Sequence, residues 1–219
     1  MSANPALTPI IAQDSFASAT GRGSPNNWSP ADGGAYNWSL AVNTPTLAVT
    51  SSEGTLTGAT GRTILLLSTA TALNVEALVR FANAQNTDEI IIPIRSNAGA
   101  SAYYFARLKS QNIGIYRYNG SENNINNVAT TVTAGNFYWI RFRAVGPNLY
   151  CKIWADSGSE PSAWNVSVVD TNITSPGQFG VGTILNTSTN TIKFDHVSFS
   201  TVLAQDIVSN RHRSIGRIQ

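Results

Sequence analysis

Residues 137–155, FYWIRFR-AVGPN-LYCKIWA, constrain the fold more than any other stretch of the chain. Two alternating runs meet at a Gly-Pro-Asn turn, the signature of a β-hairpin. In the first run Tyr138, Ile140 and Phe142 share one face, and Phe137, Trp139, Arg141 and Arg143 share the other. In the second, Leu149, Cys151, Ile153 and Ala155 oppose Tyr150, Lys152 and Trp154. A hairpin that is apolar on one side and aromatic and cationic on the other belongs in a layered sheet, one face on a core and the other partly open to solvent. Truncating Trp139 or Trp154 is expected to cost about 3–5 kcal/mol, as for a buried tryptophan.

The rest of the chain repeats this pattern in shorter pieces. Strand-like runs are predicted at 38–42, 46–51, 55–56, 62–67, 73–81, 89–95, 102–108, 114–118, 129–132, 164–170, 178–181 and 192–199, separated by Gly, Asn, Ser and Pro. No window of a dozen residues supports an amphipathic helix ahead of the C-terminal tail. Many short strands in one unit predict an all-β, two-sheet antiparallel sandwich. The segment 17–37 is rich in Gly and Pro and carries Trp28 and Tyr36, with Trp38 just beyond it; it reads as a long loop pinned by aromatics.

Domain boundaries follow from the same pattern. Residues 1–13 hold Pro5 and Pro9 and show no periodicity, so they read as an arm or linker. Residues 14–200 form the domain, and 201–219 form a basic tail that carries Arg211, Arg213 and Arg217. A net charge of +2, much of it in that tail, argues against a nucleic-acid partner. The N-terminus lacks the basic and apolar regions of a signal peptide, and no run is long enough to enter a membrane. These features fit a cytoplasmic protein, or one that reaches a virion or extracellular surface by assembly or export. Cys151, the one cysteine, reads as a buried, inert thiol.

One set of residues carries a resemblance. Trp139, Arg141, Phe142, Arg143, Gly146, Leu149, Lys152, Ile153, Trp154 and Ala155 are followed by Glu160-Pro161, Trp164, Asp170, Gly177, Phe179-Gly180-Val181 and Phe194-Asp195-His196-Val197. With Asp14, Phe16 and the loop Trp28–Gly34, they resemble the laminin G-like, concanavalin A-like lectin and glucanase superfamily. The resemblance implies a jelly roll whose first and last strands pair, here the strand at 14–16 with that at 192–199. It also implies carbohydrate-binding or adhesive modules, some glycoside hydrolases, and in many members a structural calcium ion. Calcium therefore stays open, with Asp14 and Asp195 as candidate ligands once the terminal strands pair. No other cofactor is expected.

Candidate chemistry is sparse. A retaining glycosidase needs two carboxylates about 5–5.5 Å apart, and the E-x-D-x-x-E strand of the glucanase branch is absent. Glu76 and Asp156 are the least implausible pair for a hydrolase. Neither of the two histidines, His196 and His212, sits in a metal-binding or catalytic pattern, and His196 reads as a half-buried structural residue. Sugar recognition uses aromatic rings against the apolar face of a pyranose, with amides and guanidinium groups on its hydroxyls. Trp28, Tyr36 and Trp38 in the first loop, and Tyr104, Arg107, Tyr116 and Tyr118 on the central strands, are the candidates. The sequence thus reads as a non-catalytic carbohydrate-binding or adhesion module with a glycan or surface polysaccharide as partner. The alternatives are a structural decoration, cement or tail component of a phage-like assembly, held through residues 1–13 and 201–219 to neighbouring subunits, and, more weakly, a glycoside hydrolase.

Overall fold

The structure, a computed structural model, describes residues 9–24, 26–58 and 60–202. The predicted arm and tail lie largely outside the described residues. Those described form fifteen strands and no helix, so they hold no helix long and apolar enough to cross a membrane. In chain order these are β1 (Ile10–Asp14), β2 (Trp38–Val42), β3 (Thr46–Thr50), β4 (Glu53–Thr57), β5 (Gly61–Leu67), β6 (Val75–Ala82), β7 (Glu89–Ile94) and β8 (Ala102–Lys109). Then come β9 (Asn112–Asn119), β10 (Glu122–Ala129), β11 (Tyr138–Val145), β12 (Asn148–Ala155), β13 (Val166–Val169), β14 (Gly180–Leu185) and β15 (Thr191–Thr201).

Two antiparallel sheets form a sandwich. One runs β13-β12-β11-β6-β15-β4-β3, with β1 also on β15; the other runs β10-β9-β8-β7-β14-β5-β2. The terminal strands do lie side by side, with Asp14 opposite Val197 and Ile10 opposite Ser200. Pairing begins at Ile10, four residues ahead of the boundary expected at residue 14, because Ile10 to Gln13 extend the β1 ladder. The hairpin takes the predicted form: Trp139 faces Trp154, Arg141 faces Lys152, and Tyr138, Ile140, Phe142 and Ala144 point into the core.

Trp139 and Trp154 stand on the outer face, both only partly buried, with their rings stacked at 6.2 Å. The expected cost of a buried tryptophan therefore does not apply to them. That role falls to the rim of the sandwich, where Phe16, Trp28, Trp38 and Phe194 pack edge to face or stacked with centroids 5.0–6.4 Å apart and are fully buried. The loop ahead of β2 delivers Trp28 into the sandwich, and its indole N–H donates to the carbonyls of Ala48 at 2.9 Å and Thr55 at 3.2 Å. Phe16 fits because Gly54 on β4 has no side chain: a Cβ there would lie 2.5 Å from the Phe16 ring.

One strand was missed. The run ENNINNVA at 122–129 has the composition of a loop, since Asn is depleted in strands, yet it forms β10 by pairing with β9. Its alternation is carried by Ile125 and Val128, which pack against the core around a bulge between Asn124 and Asn126.

The Phe16 contact yields a test. Gly54→Ala overpacks the rim and is expected to cost about 1–3 kcal/mol in urea denaturation, with the fold retained. A variant as stable as the parent would show that the ring does not rest on Gly54.

Candidate functional site

The outer face of the seven-stranded sheet carries a second buried cluster, separate from the core between the sheets. Ile64, Leu66, Ile91, Ala100, Tyr103, Phe105 and Tyr116 form it, with Val42, Tyr118 and Ile184 packed against it. Strand register explains the grouping. Tyr118 lies opposite Tyr103 and Glu122, Tyr116 opposite Phe105 and Asn124, and Gly114 opposite Arg107 and Asn127. All these side chains therefore project from one face. The rings form a ladder: Tyr103 stacks on Tyr118 at 5.4 Å, Phe105 on Tyr116 at 5.4 Å, and Tyr103 meets Phe105 at 5.2 Å.

Two guanidinium groups and two carboxylates lie over this ladder. Arg62 sits 4.8 Å above the Tyr118 ring, donates to the Tyr103 hydroxyl at 2.9 Å and pairs with Glu122 at 2.5 Å. Arg107 lies 5.2 Å from the Tyr116 ring, donates through Nε to Glu89 at 2.5 Å, and also pairs with Glu122. Burial pushes the Glu89 carboxyl above its ordinary value, and the Arg107 guanidinium opposes that shift. Burial likewise raises the Tyr103 phenol to about 12, so it stays a neutral hydroxyl at physiological pH. At the margins Lys109, Glu122 and Asn124 are exposed, and Arg62, Asn127 and Tyr118 are partly so.

The Arg62–Glu122 pair reveals the shape of the face. Strands β5 and β10 are separated by β14, β7, β8 and β9, which in a flat sheet would place them roughly 24 Å apart. Two side chains do not bridge that gap. The sheet must curl over its outer face, making a groove with the tyrosines as its floor and Arg62–Glu122 across it.

Of the residues expected to meet a glycan, Arg107, Tyr116 and Tyr118 come together here. The others do not. Trp28 and Trp38 are fully buried in the rim cluster and present no ring face to a ligand; Tyr36, near them, is partly buried against the core. Tyr104 points to the opposite side of β8 from Arg107, because the two differ in parity. Its hydroxyl donates to Asp170 and accepts from the Ile173 amide at 2.9 Å, and burial together with Asp170 raises it to about 12. Tyr103, Phe105, Arg62, Glu89 and Glu122 were missed as site residues, although the alternation Tyr103-Phe105-Arg107 was already visible in the sequence.

Each of the calcium candidates is already held by an arginine. Asp14 accepts bonds on both oxygens, from the Phe16 amide at 2.9 Å, the Trp38 indole at 2.7 Å and both terminal nitrogens of Arg22 at 2.7 and 2.9 Å. Burial pushes its carboxyl above the ordinary value, opposed by these same donors. Asp195 is instead paired with Arg80. No group of three or more His, Cys, Asp or Glu side chains that could hold a metal ion occurs among the described residues.

The proposed hydrolase pair also fails. Glu76 is bound by Arg141 and Arg143, while Asp156 is bound by Arg80 and the Trp139 indole. Glu76 and Arg80, the partner of Asp156, stand four residues apart along β6, about 13 Å, so the Glu76 and Asp156 carboxylates serve different ends of the strand. Cys151 is buried as expected, and burial pushes its thiol well above the ordinary range. His196 is half-buried against Trp139, its rings 5.6 Å from the indole, and burial lowers its pKa.

No family model matches the sequence, and no curated protein sequence does. Solved structures do match in three dimensions. The carbohydrate-binding module CBM66 from Bacillus subtilis aligns with a TM-score of 0.62 at 16% identity, over 75% of this chain and 95% of that one. The exoplasmic/lumenal domain of VIP36 in its Ca2+-bound form aligns at 0.61 and 10% identity, over 89% and 91%. This chain has the concanavalin A-like jelly-roll fold. A β-1,3-1,4-glucanase (lichenase) derived from a mouse hindgut metagenome shares the jelly roll at 0.60 and 8% identity, over 87% and 98%. Binding modules and hydrolases thus use one scaffold, and the scaffold alone does not choose between them.

The buried charges of the groove are testable. Arg107→Ala leaves Glu89 buried without its guanidinium and is expected to cost about 3–5 kcal/mol at neutral pH. With Glu89 pushed further up in the folded state, protonation favours folding, so the deficit should shrink as pH falls toward the carboxylate range. A deficit independent of pH would contradict the assigned pairing.

Proposed function

We propose that the chain is a non-catalytic carbohydrate-binding module and that the groove on the seven-stranded sheet is where the glycan lies. The observation that carries this reading is the convergence of Tyr118, Tyr116 and Arg107 with Arg62, Glu122, Asn124 and Asn127 in one curled surface. Tyr118, flanked by Tyr103 and with Arg62 over its ring, supplies a partly exposed ring edge and hydroxyl, and the surrounding amides and charged groups supply donors and acceptors for sugar hydroxyls. The buried rings beneath hold Tyr118 and the guanidinium groups in place. A carbohydrate-binding module among the structures with this fold is consistent with the reading.

Hydrolysis is disfavoured by the same geometry. Glu89 and Glu122 approach each other, but through Arg107, whose guanidinium bonds to both. A nucleophile and an acid need the space between them for the anomeric carbon. Here that space is filled by a guanidinium that pairs with both.

The setting we propose is attachment to a larger surface, such as that of a virion or cell. Because Ile10 lies opposite Ser200, the two ends of the described domain leave it at one place, which suits a module tethered from a single side.

Screening the full chain on a glycan array, followed by calorimetry, tests the function. One glycan class should bind, and Tyr118→Ala should weaken it at least about tenfold, or 1.4 kcal/mol, with the circular dichroism spectrum unchanged. Absence of binding to every class, or full affinity in the variant, would reject the groove as a glycan site. Release of reducing sugar from the bound glycan would reject the non-catalytic assignment.

A further inference from the structure

Six oxygen atoms converge on one guanidinium at the rim of the sandwich. Arg22 Nη1 donates to Asp14 Oδ2 at 2.9 Å and to the carbonyls of Trp28 at 2.6 Å and Pro30 at 2.9 Å. Nη2 donates to Asp14 Oδ1 at 2.7 Å and Asp32 Oδ1 at 3.1 Å, and Nε to the Ser18 carbonyl at 2.8 Å. A guanidinium has five N–H groups, so here the oxygens outnumber the donors.

Two carboxylates and three carbonyls around one positive charge are the hard-oxygen donor set that calcium takes. The charges also leave room for more: Asp14 and Asp32 carry two negative charges against the single positive charge of Arg22. The acceptors are held in place by other groups. The Trp38 indole and the Phe16 amide orient Asp14, while the Ser15 amide at 2.8 Å and hydroxyl at 2.6 Å orient Asp32. The carboxylates would therefore keep their positions without the arginine. A cleft of about 300 Å³ lined by Ser18, Thr20, Arg22, Asp32 and Gly33 connects the cage to solvent.

We propose that Arg22 is the resident cation of this cage, filling from within the chain the place a divalent cation would take among the same oxygens. The native protein then takes up no calcium at Asp14, and its rim loop is closed by a covalently attached charge. The linkage spans Asp14 to Asp32 and ties β1 to the loop that delivers Trp28 to the core. This inference does not rest on the glycan reading.

Removing the arginine should convert the cage into a metal site. The full chain should melt at the same temperature in millimolar calcium and in chelator, and should give no terbium emission on excitation of the nearby Trp28 and Trp38. Arg22→Ala should melt about 6–20 °C lower in chelator, regain most of that loss in calcium, and show terbium emission that Asp14→Asn in the same background abolishes. Arg22→Lys, which keeps a cation in the cage, should fold without calcium. The proposal is overturned if the native chain is stabilised by calcium or binds terbium through Asp14. It is equally overturned if calcium restores neither fold nor stability to Arg22→Ala, or if Arg22→Lys needs the metal to fold.

Discussion

The curl of the seven-stranded sheet is the constraint on which the groove depends. A flat antiparallel sheet offers side chains a plane open to water, and tyrosines on it are exposed. Here Arg62 on β5 reaches Glu122 on β10 across four intervening strands, which turns the plane into a trough and buries Tyr103, Phe105 and Tyr116 within it. Burial in turn sets the electrostatics. Glu89 and Arg107 are sequestered together, and the hydroxyl of Tyr103 is held neutral beside Arg62. The groove is thus a supported surface in which a few exposed groups are fixed by many buried ones.

The rim of the sandwich solves a different problem by similar means. A loop rich in Gly and Pro has little intrinsic order, yet it must deliver Trp28 to the core. The β1–β15 ladder supplies the fixed base, Gly54 supplies the space for Phe16, and the Arg22 guanidinium joins carbonyls and carboxylates drawn from both sides of the loop. Charge inside the chain and aromatic packing work on the same twenty residues. The low overall charge of the protein makes these few buried pairs more prominent, because the remaining surface relies on Ser, Thr and Asn.

Much of the fold was legible because the hairpin at 137–155 alternates cleanly and its period of two fixes both faces at once. Strand β10 was not, since ENNINNVA pairs through backbone and holds its face with only Ile125 and Val128. The site was partly legible. Tyr116, Tyr118 and Arg107 share a face by parity, and Tyr103 and Phe105 could have been added by the same rule, whereas Tyr104 could have been excluded by it. Trp28 and Trp38 were candidates by their aromatic character and their place at the first loop, and the tertiary fold turns both inward. Arg62 and Glu122 carried no local signal: they meet because the sheet curls, and curvature is a property of the assembled strands, whereas Glu89 meets Arg107 through the pairing of β7 with β8. Likewise, the acids expected to hold calcium could be located, but not the arginines that they meet.

The central claim is that a sugar binds in the curled groove on the seven-stranded sheet. It is tested most directly by titrating the isotope-labelled protein with the glycan selected on an array and following backbone amide shifts. Perturbations concentrated on β8, β9 and β10, with Tyr118 and Asn124 among the largest, are the predicted result. Perturbations confined to the Trp139–Trp154 face of the other sheet, or to the rim loop around Arg22, would contradict it.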